Sequence, residues 1–147
     1  MRNISAILMM IVVPLLFSCS NNDDWDAVSN GDLIREWHLI EVEQAVMFPE
    51  DGVQFSSVDY SDKKVIYDFQ KGAIVKVSGV DEGDSFVIPN GMYSYEVIDE
   101  EENPNFSDGA YIEINRTKWG LTISENRLVL DQSYVDGPKL IFEPWEG

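Results

Sequence analysis

The residues able to do chemistry are few in this 147-residue chain, and acids dominate them. There are 27 Asp and Glu, ten Lys and Arg, one His and one Cys. A hydrolytic triad or a zinc centre needs several His or Cys side chains, and only His38 and Cys19 are on offer. His38 alternates out of phase with Trp37, which places it toward solvent or a sheet edge. Two acidic runs invite a calcium reading, Asp81-Glu82-Gly83-Asp84 and Asp99-Glu100-Glu101-Glu102. Neither has the alternating ligand spacing of an EF-hand loop, so both read as solvated turns. Paired carboxylates for glycoside hydrolysis are not singled out by the sequence, because abundant acids make any one pair uninformative. Asn115-Arg116-Thr117 satisfies a glycosylation sequon. The expectation is therefore no catalytic activity, no metal and no cofactor.

Cys19 has a different context. Arg2 precedes an apolar run from Ile4 to Phe17, and Leu16-Phe17-Ser18-Cys19 closes it with a small residue before the thiol. Such a run is shorter than the roughly 20 residues needed to cross a bilayer core, and a basic start followed by a short apolar stretch is the pattern of an export signal. An ordinary secretory signal fits the same pattern. The Leu-Phe-Ser-Cys end resembles the lipobox of bacterial lipoproteins, which implies that Cys19 receives a diacylglycerol and becomes the mature N-terminus after cleavage behind Ser18. As the lone cysteine it has no partner for an internal disulfide, so the fold rests on its core alone. The next residues, Ser20, Asn21, Asn22, Asp23 and Asp24, are similar to the surface-export signal of Bacteroidetes lipoproteins; a solvated tether is the plainer alternative. Together these imply an outer membrane lipoprotein at the cell surface, held to the membrane through its lipid.

The expected organisation is thus a signal peptide over 1–18, a lipidated cysteine with a flexible acidic tether over 19–31, and one domain over 32–147. A flexible tether of that length averages about 19 Å end to end. Removing residues 1–18 takes away Arg2 and no acid, leaving a net charge of −18. That field repels phosphate backbones, which argues against nucleic acid as a partner.

From Gly31 onward the hydrophobic period is two. Trp37 and Leu39 share a face with Glu41 and Glu43, so this first strand is long and changes its buried face along its length. Val65, Tyr67 and Phe69 alternate next; Gln70-Lys71-Gly72 turns the chain into Ala73–Ser78. Tyr93, Tyr95 and Val97 share one side of Gly91–Ile98. Ala110, Ile112 and Ile114 follow, then Leu121 and Ile123, Leu128 and Leu130, and finally Leu140 and Phe142 after the Asp136-Gly137 turn. The count is about eight strands, joined by short turns except at Met47–Lys64 and Asp99–Asp108. Eight antiparallel strands in sequence leave two bare edges unless the sheet closes, so the chain is expected to be all-β, an antiparallel up-and-down barrel. An open sandwich is the alternative.

Several segments then match one group. Leu33-Ile34-Arg35-Glu36-Trp37-His38-Leu39, Tyr67-Asp68-Phe69-Gln70-Lys71-Gly72, Gly91-Met92-Tyr93-Ser94-Tyr95 and Leu121-Thr122-Ile123-Ser124-Glu125-Asn126-Arg127-Leu128-Val129-Leu130 resemble the lipocalin-like domains of Bacteroidetes lipoproteins. In place of the Gly usual just before the Trp, this chain has Arg35 and Glu36. The resemblance implies a small calycin-type barrel whose closed end is plugged by Trp37 and whose open end is covered by a lid at 47–64.

A barrel of this size is either filled by its own side chains or holds one small molecule. The expected inward set is Trp37, Leu39, Tyr67, Phe69, Tyr93, Tyr95, Leu121, Ile123, Leu128, Leu130, Leu140 and Phe142. Two functions follow. One is binding of a small apolar or amphipathic ligand at the barrel mouth, with Phe55, Tyr60, Tyr67, Tyr93 and Tyr95 as the contacting residues. The other is a protein-interaction module for an envelope partner, with a filled interior.

Overall fold

The computed structural model describes residues 30–48, 52–98 and 110–147. Cys19, Ser20 to Asp24, and the Asp99–Asp108 connection lie outside these residues. One short helix, α1 (Asn30–Leu33), leads into nine strands: β1 (Glu36–Phe48), β2 (Gly52–Asp59), β3 (Ile66–Gln70), β4 (Ile74–Ser78), β5 (Gly91–Ile98), β6 (Tyr111–Ile114), β7 (Thr117–Ser124), β8 (Arg127–Asp131) and β9 (Lys139–Pro144). All pairings are antiparallel. β1 and β3 to β9 form a closed eight-stranded barrel sealed by the β1–β9 pair, and β2 is a ninth strand bonded, among the described residues, only to β1.

The change of face in β1 has a local cause. Leu39 pairs with Phe142 and Glu41 with Ile141, so Ile40 is an extra residue, a β-bulge, in the ladder with β9. The bulge moves the inward positions from odd to even numbers, which is why Trp37, Leu39 and Val42 are all fully buried. Elsewhere strict alternation suffices: β3 buries Tyr67 and Phe69, β4 Val75 and Val77, β8 Leu128 and Leu130.

Ten of the twelve expected inward residues are buried, and Tyr93 and Ile123 are partly buried against the same core. Val42, Val75, Val77, Ile112, Ile114 and Trp119 complete the filling. Trp37 plugs one end: its indole N–H donates to the Leu33 carbonyl at 3.0 Å, and the Arg35 guanidinium stacks 5.2 Å from its ring centre. Arg35 also donates to the Glu125 carbonyl at 3.3 Å, so the residue standing near the usual Gly position ties the chain entry to the β7–β8 turn.

Two expectations about connections are corrected. The segment 47–64 is not an irregular lid. Its centre is β2, which pairs with β1 over eight positions from Glu41–Asp59 to Phe48–Gly52. β2 and β3 lie one after the other along the same edge of β1, with residues 60–65 between them. Conversely the β4–β5 connection, read as short, spans residues 79–90 and does what the lid was expected to do.

Candidate functional site

Residues 79–90 fold back over the barrel end at which β4 passes into β5. Val80 and Val87 are buried in the core, and Ile88 packs against it. This cap is held by polar groups that the strands send up. The Tyr67 hydroxyl accepts the Ile88 N–H at 3.0 Å, and the Tyr93 hydroxyl donates to the Pro89 carbonyl at 2.9 Å. The Tyr60 hydroxyl donates to an Asp84 carboxylate oxygen at 2.5 Å. Asn90 closes the base of the loop by accepting the Val80 N–H and donating to the Val80 carbonyl. Lys63 sits 3.8 Å from Asp84 and 3.5 Å from Asp81, with its ammonium 4.4 Å from the Tyr60 ring centre. Gly79 is forced: its φ is +81°, and a Cβ there would lie 2.0 Å from the Lys64 carbonyl oxygen.

Burial sets the electrostatics of this end. Desolvation pushes the Tyr60 hydroxyl well above the ordinary tyrosine value, and the hydrogen bond to Asp84 and the charges of Asp84 and Asp81 push the same way. Desolvation likewise raises Tyr67, against the lowering effect of the Ile88 N–H. Both hydroxyls therefore stay neutral and act as hydrogen-bonding clamps.

Of the five ligand candidates, four are thus structural neighbours of the core. Tyr60 is 3% exposed, Tyr67 is fully buried with its ring edge-on to Phe142, and Tyr95 is buried edge-on to Phe69. Tyr93 is partly buried. Phe55 is apart from them, 73% exposed on β2. A side chain with no accessible surface has no water-sized void beside it, and Trp37, Leu39, Val42, Tyr67, Val75, Ile112, Ile114, Leu128, Leu130, Leu140 and Phe142 all have none. The barrel interior is filled at these positions.

The second half of β1 and the whole of β2 form an arm. β9 accompanies β1 only as far as Glu43–Lys139, and beyond that point β2 is the sole neighbouring strand of β1 among the described residues. On its outer face Phe55 stands beside Ala45 and Ser57, and the Ser57 hydroxyl donates to Glu41. Glu43 pairs with Lys139 at 2.9 Å. Every side chain from Gln54 to Asp59 is exposed. Phe86 on the cap, and Tyr134 and Val135 on the 3₁₀ turn Ser133–Val135 between β8 and β9, are exposed apolar side chains on connections at this same end, and Met92 is exposed on β5.

His38 is half-buried on the outer wall, where its Nε2 lies 3.2 Å from the Lys63 carbonyl and Trp145 meets its ring edge-on. His38 and Trp145, together with Asn126, Glu143 and Pro144, line an open cleft. Among the described residues no group of three or more His, Cys, Asp or Glu is placed to hold a metal ion. Asp84, from the first acidic run, is instead engaged by Tyr60 and Lys63.

What sequence reasoning missed is the clamping role of Tyr60, Tyr67 and Tyr93, and the arm. A hydroxyl carried on an inward-facing residue at a strand end is the one signal available, since a buried Tyr oxygen needs a partner. No protein family, curated protein or solved structure matches this chain.

Proposed function

We propose that the chain is an envelope lipoprotein, anchored through Cys19, whose barrel is a solid scaffold that works through its outer surface as a protein-interaction module. The observation that supports this reading over a carrier is the contrast in exposure: zero accessible area at the eleven barrel positions named above, against 73% for Phe55 on a strand with one edge unpaired among the described residues. A carrier needs a cavity of a few hundred Å³ lined by apolar side chains, and here the side chains occupy that space themselves. Binding of a small apolar molecule at the mouth would require residues 79–90 to swing away and give up their bonds to Tyr60, Tyr67 and Tyr93. No catalytic role is assigned. The anchor supports the same reading, because a fixed scaffold at the surface presents its far end to neighbours.

Native mass spectrometry of protein purified from its own host tests the module reading. The expected mass is that of the lipidated chain alone; a reproducible small-molecule adduct released on denaturation would sink it. Anchoring is tested separately by metabolic labelling with an alkynyl fatty acid, with label expected on the wild type and absent from Cys19→Ser.

A further inference from the structure

The β1–β2 ladder fixes which backbone groups of β2 are unused. The Tyr60 N–H donates to the Ile40 carbonyl at 2.8 Å, and this pair continues the β1–β2 register by one step. Hydrogen-bonded and non-bonded pairs alternate in an antiparallel ladder, so Val58–Val42, Ser56–Gln44 and Gln54–Val46 are the bonded pairs. Val53, Phe55 and Ser57 therefore turn their N–H and C=O groups to the other side, where β2 has no neighbouring strand among the described residues.

Natural proteins guard such edges with Lys, Pro, bulges or inward charges. Gly52–Val58 carries none of these: its register with β1 is unbroken, and its sequence, Gly-Val-Gln-Phe-Ser-Ser-Val, lacks both charge and proline. The run is neutral within a chain of net charge −17. The charges sit at its ends. Glu50 and Asp51 immediately precede Gly52 in the sequence; beyond Val58 come exposed Asp59, Asp62 and Lys64, with Lys63 drawn to Asp81 and Asp84, so the charge next to the run at each end is acidic.

This pattern selects the occupant. A second copy paired antiparallel about Phe55 would bring exposed Asp59 of each chain to the Gly52 end of the other's strand, which two acids precede in the sequence, so like charges gather at both ends of the new ladder. A strand with a neutral centre and basic ends meets complementary charge at both ends instead. We propose, resting on the interaction-module reading, that the free edge of β2 receives an extended segment of a partner protein as an added antiparallel strand, uncharged at its centre and basic at its flanks. Val53, Phe55 and Ser57 supply the backbone bonds, and exposed Phe55 packs against the side chain placed opposite it. A two-stranded ribbon is marginal alone in water, so the third strand also orders the arm.

The test uses the full chain in mild detergent and a short peptide in which Val and Thr alternate between pairs of Lys at both ends, with a Glu-ended counterpart. Amide exchange followed by NMR is expected to slow at Val53, Phe55 and Ser57 when the Lys peptide binds, and to stay as it was at Gln54, Ser56 and Val58. The Glu peptide is expected to bind roughly tenfold more weakly, with the difference shrinking as salt is added. Ser57→Pro removes an outward N–H and no backbone bond to β1, giving up only the exposed hydroxyl bond to Glu41, so it is expected to abolish the protection with little change in the melting temperature. Phe55→Lys, a gatekeeper at a fully solvated position, serves as the second variant and is expected to do the same.

Equal binding of both peptides, protection at the cap instead of the edge, or undiminished binding by the two variants would overturn the proposal. So would a concentration-dependent dimer lost in Ser57→Pro, which would give the edge to a second copy. None of these outcomes bears on the module reading, which stands or falls on the small-molecule adduct.

Discussion

β1 builds two regions that obey opposite rules. Its first half, up to the bulge at Ile40 and Val42 just beyond, lies between β3 or β2 on one side and β9 on the other, and sends Trp37, Leu39 and Val42 into a core without accessible surface. Its second half has only β2 for company among the described residues, and the side chains from Glu43 to Val46 are half-buried. The same strand, with the same alternation, is a wall in one place and a display in the other. What differs is the second neighbour: a strand flanked on both edges and covered on one face contributes to stability, and a strand flanked on one edge is left to contribute contacts.

That contrast can be broken most directly at Trp37. Replacing it by Ala empties the plug and leaves the Leu33 carbonyl with the Arg35 N–H as its remaining donor; the expected loss is about 3–5 kcal/mol, read as a lowered urea midpoint. A change of similar standing on the arm should be nearly silent, and it closes the series below.

Alkali sharpens the comparison next. Tyr60 and Tyr67 have folded-state values raised above the ordinary tyrosine value of 10.0. Their contribution to stability is therefore complete below pH 10 and is lost as pH rises toward their folded values, because the unfolded chain gives up these protons first. Urea midpoints are expected to hold up to pH 10 and fall above it, with exchange rising first in residues 79–90. A fall that spared the cap would contradict the clamp.

Tyr60→Phe acts on one clamp alone. Asp84 loses its hydroxyl donor, at a cost of about 1 kcal/mol, and faster amide exchange is expected within 79–90 while β7, β8 and β9 keep their protection. The smallest effect belongs to Phe55→Ser, within about 0.5 kcal/mol by thermal unfolding, since its side chain is already in water. A large loss there would mean that the arm is part of the core after all.

The legibility of the chain follows the same division. The barrel strands were readable because each has one buried face, so apolar and polar residues alternate in Tyr67-Asp68-Phe69 or Leu128-Val129-Leu130. The change of face in β1 was visible too, in the passage from Trp37 and Leu39 to Glu41 and Glu43. β2 was not, because neither of its faces is buried; Gln54, Ser56 and Ser57 interrupt any period, and pairing with β1 leaves no trace in composition. The cap was missed for another reason. Gly79, Gly83, Pro89 and Asn90 read as an ordinary turn, and what holds 79–90 in place comes from tyrosines on β3, on β5 and just after β2, which no local pattern connects to it.

The seam between β1 and β9 also dictates an order of events as the chain folds. Trp37 lies opposite Pro144, so the first strand of the barrel must wait for the last one before its second edge is filled. The hairpin with β2 is local and can form early, whereas closure joins segments from the two ends of the domain and is slow for that reason. During the interval β1 carries a bare edge beside the largest apolar side chains of the chain. The step most exposed to aggregation is therefore the final one, and the acidic charge of the molecule matters most then, keeping unfinished barrels apart until β9 arrives.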